Sequence, residues 1–231
     1  MLLAGATAPA PLPLADLVEP DLGDQLPADM PELLAILPGA DLYVQDEVQI
    51  AFHPTLTRVW CRKGRRGQRL AEAPGDNAKV YGFGPVDWRE GWFDGRVGPQ
   101  RTADLFCEQL RAALARSRQR GRPAIVIADN LRAHTPRGSR LVRTLLAEAK
   151  DQLRLVYTPS YDPDANRIEW LWRLVRRAVT HNHQREEFSV LLDDLWREFT
   201  ALAQNPTAVL AQIGSPFALD DEPTQPVAYA A

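Results

Sequence analysis

Three carboxylates, Asp46, Asp129 and Glu169, stand where a carboxylate needs a physical explanation. Asp46 lies in residues 42–52, whose alternation of apolar and polar side chains predicts a strand with one buried face. Asp46 falls on the apolar face, whereas Glu47 points to the polar side. An unpaired buried carboxylate costs on the order of 5 kcal/mol, so we expect compensation. A bound cation or an Arg partner would supply it, and an Asp that caps backbone amides at a bulge is the alternative.

Asp129 and Glu169 lie at the ends of the elements that would carry them. Asp129 follows residues 124–128, a continuous apolar run typical of a strand buried on both faces. Sites in such sheets form beyond the carboxyl ends of strands, although Asp129 alone is explained more simply as the start of a turn. Glu169 lies in the first turn of a predicted helix, where Asn166 at the N-cap and Glu169 three residues later resemble a capping box.

The periodicity around these residues predicts an α/β fold. Strands are expected at residues 42–52, 58–62, 79–85, 91–97, 124–128 and 154–158, and helices at residues 102–118, 139–153, 168–180 and 188–203. The resulting order β-β-β-β-α-β-α-β-α, with the helix at residues 188–203 after it, predicts a mixed sheet with helices packed on its faces.

Composition divides the chain into four parts. Residues 1–40 are rich in Ala, Pro, Leu and Asp and predict an acidic, Pro-rich leader that is not a domain. Residues 41–183 hold the regular pattern and are expected to form one core. Residues 184–218 are expected to form a C-terminal helical extension, and residues 219–231 a flexible tail.

The net charge of −3 hides an uneven distribution. Residues 1–57 carry nine Asp/Glu and no Lys/Arg, residues 58–185 carry 26 Lys/Arg and 13 Asp/Glu, and residues 186–231 carry one Arg and eight acids. The basic middle segment could neutralise phosphates although the whole chain is acidic. For any single Arg within it, a solvated helix surface is the simpler explanation.

Several protein classes are disfavoured. The chain has no run of about 18 apolar residues, which a membrane-spanning helix would need. Its apolar N-terminus carries no basic segment and is interrupted by prolines, so a secretory signal is not expected. Cys61 and Cys107 are too few for a disulfide scaffold or, alone, a zinc site. A reducing cytoplasm fits best.

Four blocks, on three predicted strands and the start of a helix, resemble one family in their order along the chain. They are residues 45–47 (QDE), 59–64 (VWCRKG), 127–134 (IADNLRAH) and 157–172 (YTPSYDPDANRIEWLW). Together they resemble the DDE domain of mariner-superfamily transposases, in particular the bacterial insertion-sequence branch, whose signature P-x-Y-S-P-x-L-N-P-I-E-x-x-W the last block is similar to. The resemblance runs from about residue 41 to about residue 183.

The resemblance implies a ribonuclease H-like fold, with a mixed five-stranded sheet and helices on both faces. The family's catalytic, metal-binding carboxylates map to Asp46, Asp129 and Glu169. It implies two Mg²⁺ or Mn²⁺ ions per site, with Asp46 bridging them, since hard cations take oxygen ligands. Asp164 is the chief rival for the third position, but the family pattern has a non-catalytic acid there. Between Asp129 and Glu169 stand 39 residues, somewhat more than is typical of mariner elements.

The implied function is metal-dependent DNA strand cleavage followed by strand transfer from a 3′-hydroxyl, in a bacterial cytoplasm and in contact with the nucleoid. The implied partners are the DNA of the element ends and of the target, and a second copy in a homodimer. Family members usually carry helix-turn-helix domains ahead of the core, which the acidic leader cannot supply. We therefore expect a truncated copy, one half of a split transposase whose DNA-binding half is encoded separately, or a gene model begun too late.

Two groups of basic residues are candidate phosphate contacts. They are a Gly-flexed loop with Arg62, Lys63, Arg65 and Arg66, and the helix of Glu169 with Arg173, Arg176 and Arg177. His134 matches a signature position, and a packing or hydrogen-bonding role near the site is favoured for it. The alternatives to an active transposase are an inactive truncated remnant that only binds DNA or a partner, and a host nuclease of the same fold.

Overall fold

The computed structural model describes residues 39–58, 63, 74–158 and 166–214. In this part of the chain, five strands are present: β1 (Asp41–Ala51), β2 (Lys79–Asp87), β3 (Arg96–Gly98), β4 (Ala124–Ala128) and β5 (Leu153–Tyr157). Five α-helices accompany them: α1 (Ala103–Gln119), α2 (Arg140–Ala149), α3 (Ile168–Val179), α4 (Phe188–Gln204) and α5 (Pro206–Ile213). Single 3-10 turns occupy Arg132–His134 and Lys150–Gln152.

The strands form one mixed sheet in the order β3-β2-β1-β4-β5. β1 is its central strand, antiparallel to β2 and parallel to β4. β4 is in turn parallel to β5, and β3 is antiparallel to β2. This arrangement confirms the predicted mixed five-stranded sheet, and it brings the carboxyl ends of β1, β4 and β5 to the same edge.

Helices cover both faces of the sheet, as predicted. On one face, α3, α4 and α5 pack over β1 through residues such as Val44, Trp172 and Phe199. On the other face, α1 and α2 pack over β1 and β4 through residues such as Tyr43 and Phe106. Two hydrophobic cores therefore sandwich β1 and β4.

The prediction that β1 buries only one face is wrong. Tyr43 and Gln45 belong to the face expected to be polar, and both are fully buried. The cause is α1, which lies over that face and whose Ser117 shares a 2.9 Å hydrogen bond with the Tyr43 hydroxyl. Both faces of β1 are therefore covered near its start, whereas Gln49, further along the face expected to be polar, is exposed.

The helices and strands of the described residues begin and end close to the predicted boundaries, with local differences. The helix expected over residues 139–153 ends at Ala149, because Lys150 adopts a positive φ of 50°. The strand expected over residues 91–97 is reduced to β3, preceded by an isolated bridge between Phe93 and Val86. Four expected segments lie wholly or partly outside the described residues. They are the leader except residues 39 and 40, residues 215–218 of the helical extension, the tail at residues 219–231, and the strand at residues 58–62 apart from Arg58.

An arginine joins the end of α3 to α4. The Arg185 guanidinium donates to the Val179 carbonyl at 2.7 Å and to Oδ2 of Asp194 at 2.5 Å. It thereby satisfies a carbonyl in the last turn of α3 while holding α4 beside it. In the part of the chain that the structure describes, no helix combines the length and apolar composition that a membrane crossing requires.

Candidate active site

The register of two parallel strands brings Asp46 and Asp129 together. Val44 on β1 pairs with Ile127 on β4. Each Asp stands two residues further along its strand direction, so Asp46 and Asp129 occupy corresponding backbone positions on neighbouring strands, which are about 4.8 Å apart. β4 ends at Ala128, which leaves Asp129 just beyond the strand with a side chain 40% exposed.

Aromatic packing next to Asp46 explains why its carboxylate is poorly hydrated. Asp46 pairs with Gly84 of β2, and directly opposed residues of antiparallel strands share a face. A Cβ on Gly84 would lie 2.3 Å from the Phe93 ring, so Phe93 occupies the space that a side chain would fill. Phe93 thus packs on the residue that pairs with Asp46.

Glu169 enters from the first turn of α3. Asn166, just ahead of this helix, is buried and its side-chain amide donates to the Gln45 carbonyl at 3.4 Å, which ties the start of α3 to β1 next to Asp46. Ile168 is buried in the core, whereas the neighbouring Glu169 side chain keeps 25% of its surface exposed. The third predicted carboxylate therefore lies at the edge of the sheet that carries the other two.

The pKa of Asp46 reflects the presence of other carboxylates near it. Burial raises the pKa of Asp46 well above its ordinary value, and the negative charges of Glu47, Glu169 and Asp129 raise it further. A hydrogen bond from the Glu47 backbone amide opposes these effects without cancelling them. Such mutual repulsion is what a bound cation would relieve.

The pKa of Asp129 is shifted in the opposite direction to that of Asp46. Burial tends to raise its pKa, but the hydrogen bond and charge of His134, the Leu131 amide and the charge of Arg101 outweigh burial and lower it. The Leu131 amide donates to Oδ1 of Asp129 at 3.2 Å, so the predicted turn-forming role is present as well. Both this bond and the bond from His134 end on Oδ1.

The capping box predicted for Glu169 is not formed. The N-cap of α3 is Arg167, which makes no side-chain capping bond, and the Asn166 side chain is directed to β1. The prediction fails because the Asn166 side chain bonds to β1 and not to the first turn of α3, so that the N-cap is the next residue, Arg167. Glu169 is left without the structural role that competed with a chemical one.

His134 is held on every side. Its Nδ1 donates to Oδ1 of Asp129 at 2.5 Å, and its Nε2 lies 2.8 Å from Oε1 of Glu47. The ring stacks on Phe106 with 4.1 Å between centroids, and the Tyr157 hydroxyl donates to the His134 carbonyl at 3.1 Å. The hydrogen-bonding role predicted for His134 is confirmed.

Glu47 was missed by sequence reasoning. It was placed on a solvated face, but its side chain is only 2% exposed and pairs with His134. The available signal was the amphipathic α1, whose apolar stripe has to cover one face of a strand. Ligand atoms of Glu47, Asp129 and His134 all lie within 4.8 Å of one another, a spacing compatible with a metal, and this group of described residues includes neither Asp46 nor Glu169.

Both ring nitrogens of His134 face carboxylate oxygens, Nδ1 that of Asp129 and Nε2 that of Glu47. Burial opposes its protonation, but the contacts with Asp129 and Glu47 outweigh burial and raise the pKa of His134 to about 9. The ring acts as a donor between two carboxylates.

The predicted basic contacts are only partly described. Arg62, Arg65 and Arg66 lie outside the described residues, and Lys63 is exposed. On α3, Arg173 and Arg177 are exposed, and Nη1 of Arg176 lies 3.8 Å from Oε2 of Glu169. Arg101, which the sequence did not single out, is also exposed and close enough to lower the pKa of Asp129.

Comparison with known proteins gives a family match over most of the described chain. The model of the DDE superfamily endonuclease family matches residues 41–191. A 39 kDa uncharacterized protein of insertion element IS630 from Shigella sonnei is 30% identical over 143 residues, which is 62% of this chain and 40% of that protein. The chain thus spans about 40% of the length of this curated relative.

Solved structures with similar folds come from the Mos1 transposase. A Mos1 paired-end complex with left transposon end has a TM-score of 0.51 at 18% identity, covering 94% of this chain and 68% of that chain. A Mos1 mariner paired-end complex with Mn has a TM-score of 0.52 at 17% identity, covering 80% and 57%. At this identity the likeness concerns the fold, which is ribonuclease H-like as the sequence resemblance implied.

Proposed function

The chain belongs to the DDE superfamily of endonucleases, and we propose that it acts as the catalytic domain of an insertion-sequence transposase of the mariner type. The proposal is carried by the placement of Asp46, Asp129 and Glu169 at one edge of the sheet, which the β1–β4 register, the tie of Asn166 to β1 and the raised pKa of Asp46 support. Proposed partners are the DNA of the element ends and target, a second copy of the chain, and a separately encoded DNA-binding half.

The donor chemistry of the site fits Mg²⁺ or Mn²⁺. Asp46, Asp129 and Glu169 offer only carboxylate oxygens, which hard cations prefer, and the charges of Glu169 and Asp129 contribute to the raised pKa of Asp46. We propose that Asp46, Asp129 and Glu169 would together hold two such ions. When bound, such ions neutralise phosphate charge and favour the deprotonated form of the attacking hydroxyl.

The protein side chains supply position and charge. Oδ1 of Asp129 is occupied by His134 and the Leu131 amide, so Oδ2 is the oxygen available to a cation. Glu169 projects from a helix and can adjust by rotamer changes, with Arg176 close to it. The proposed reaction is hydrolysis of one strand at an element end, followed by attack of the freed 3′-hydroxyl on target DNA.

Nicking of supercoiled plasmid in Mg²⁺ or Mn²⁺ tests this function. Asp46→Asn, Asp129→Asn and Glu169→Gln should each lower the nicking rate by about 100-fold or more, because each removes charge that the reaction needs. Asp151→Asn, at an exposed position away from the site, is the matched control and should nick like the wild type. Circular dichroism would establish that all four variants fold.

Retained nicking in any carboxylate variant would remove that residue from the site. A wild-type protein that binds duplex DNA but does not nick it in either metal would contradict the proposed activity, and would favour a remnant that binds without catalysis.

A further inference from the structure

We propose that His134 is a positioning residue, which fixes the Asp129 carboxylate through Oδ1 and so directs Oδ2 to the cation, while Glu47 fixes the far side of the imidazole ring. The proposal rests on the function proposed above. It assigns to Glu47 and His134 a shared role that is distinct from metal binding.

Asp129 needs such support because of its location. It lies beyond the last residue of β4, where no ladder partner holds the backbone, and its side chain is 40% exposed. A carboxylate there can rotate about two side-chain torsions, and each misplaced rotamer removes one ligand from the site. Partners that orient a ligating carboxylate from behind commonly change metal affinity by about 10–100-fold when removed.

His134 is itself rigid, so it can transmit position. Its side chain is 1% exposed, its ring stacks on Phe106 of α1, and its carbonyl accepts from Tyr157 of β5. The contact with Oε1 of Glu47 fixes the ring against rotation and connects it to β1. Through His134, the orientation of the Asp129 side chain is thus fixed relative to α1, β1 and β5, three elements of the packed core.

The same contacts distinguish a positioning role from simple packing. A residue that only filled space would need the stack on Phe106 but not two polar contacts on opposite ring nitrogens. Here Nδ1 contacts Asp129 and Nε2 contacts Glu47, so each nitrogen makes a different polar contact. Substitutions that keep one polar contact and lose the other can separate the roles of these two contacts.

The test uses a pair of amide variants of the full chain. The Asn side-chain nitrogen stands close to the position of Nδ1, whereas the Gln nitrogen stands close to that of Nε2. His134→Asn should therefore keep a donor for Asp129, and His134→Gln should keep only the contact with Glu47. Both variants lose the ring stack on Phe106 and should lose similar thermal stability.

Mn²⁺ affinity, measured by calorimetry on the protein without DNA, is the first readout, and the nicking rate at saturating Mn²⁺ is the second. His134→Gln should bind Mn²⁺ at least about 10-fold more weakly than wild type, and His134→Asn within about 3-fold of it. His53→Gln, at an exposed histidine, is the control and should leave both values unchanged.

Equal Mn²⁺ affinities of the Asn and Gln variants, whether both reduced or both unchanged, would overturn the positioning role. Normal Mn²⁺ binding with the expected Asn–Gln difference, but without nicking by the wild type, would overturn the proposed function and leave the positioning role standing. A wild type that binds no Mn²⁺ would overturn both.

Discussion

At the scale of single residues, Asp46 and Asp129 occupy matching positions on adjacent strands, yet their pKa values shift in opposite directions. Asp46 is bordered by apolar groups and by other carboxylates, so its charge is unfavourable. Asp129 is stabilised as an anion by His134 and a backbone amide. The site therefore combines one carboxylate that needs a cation with one that is already oriented to receive it.

This asymmetry predicts that Asp46→Asn stabilises the metal-free protein. The raised pKa of Asp46 means that its charge destabilises the fold at neutral pH, and that this penalty disappears as pH falls through the folded-state pKa. Removing the charge should raise the free energy of unfolding by about 1 kcal/mol at pH 7, or about 3 °C in Tm.

Thermal unfolding at pH 7 and at pH 4, in chelator, measures this effect. The gain of Asp46→Asn over wild type should shrink at the lower pH, and Asp151→Asn should show no gain at either. A loss of stability at pH 7 in the Asp46 variant would contradict the interpretation of the site as a repulsive cluster.

Sequence patterns predicted part of this site. The energetic cost of burying the Asp46 carboxylate can be predicted from its apolar neighbours in a single strand. The contact between Glu47 and His134 cannot be predicted in this way, because it depends on how α1 lies over β1. Contacts between distant segments leave no local periodicity in the sequence. The role of Asn166 was misassigned for the same reason, since its partner, the Gln45 carbonyl, belongs to another element.

At the scale of elements, the position of Glu169 depends on how α3 is held at its two ends. Asn166 ties its start to β1, and Arg185 ties its end to α4. The bridge between Thr55 and His181 adds a contact from the segment that follows β1. Periodicity predicted the helix itself well, because its apolar stripe is regular, but it contains no information about these tethers.

The Arg185–Asp194 tether predicts a pH-dependent contribution to stability. Burial tends to raise the pKa of Asp194, but the bonds and charges of Arg185 and Arg197 outweigh it and lower the pKa. A lowered pKa means that the ion pair stabilises the fold above the ordinary Asp pKa of about 4, and that this contribution is lost as pH falls through the folded-state value.

Asp194→Asn should therefore lower the free energy of unfolding by about 1 kcal/mol at pH 7, since a partly buried charged hydrogen bond is lost. Urea unfolding at pH 7 and pH 3 measures this, and the difference from wild type should narrow at pH 3. Asp193→Asn, at the exposed neighbouring position, is the control. A difference that stays constant with pH would show that the charge of Asp194 is not what stabilises α4.

At the scale of the whole molecule, charge is distributed in a way that the overall value of −3 conceals. Arg176 on α3 lies beside Glu169, and Arg101 is close to Asp129. Arg173 and Arg177 are exposed on the same helix, while α1 lies on the opposite face of the sheet. Phosphates that approach the carboxylates would meet positive charge along α3. The segment-by-segment charge count predicted a basic middle, but not which of its residues share a face.

DNA binding by the Arg173→Gln/Arg177→Gln double variant tests this surface. If both arginines contact phosphates, the slope of log affinity against log salt concentration should become shallower by about 0.9 for each lost contact. Arg118→Gln on α1 removes an exposed cation from the other face and should leave the slope unchanged. Fluorescence anisotropy with a labelled duplex gives the slopes, and equal slopes for all three proteins would exclude α3 from the interface.

The register between β1 and β4 has a consequence for how such sites diverge over evolutionary time. Asp129 is fixed by the end of β4 and by His134, and Glu169 by the attachment of Asn166 to β1. The loops that intervene between these two anchors can gain or lose residues while the carboxylates stay in place. Relatives that differ in this spacing can therefore preserve the same geometry, and strand pairing is a better guide than residue count for recognising equivalent carboxylates among them.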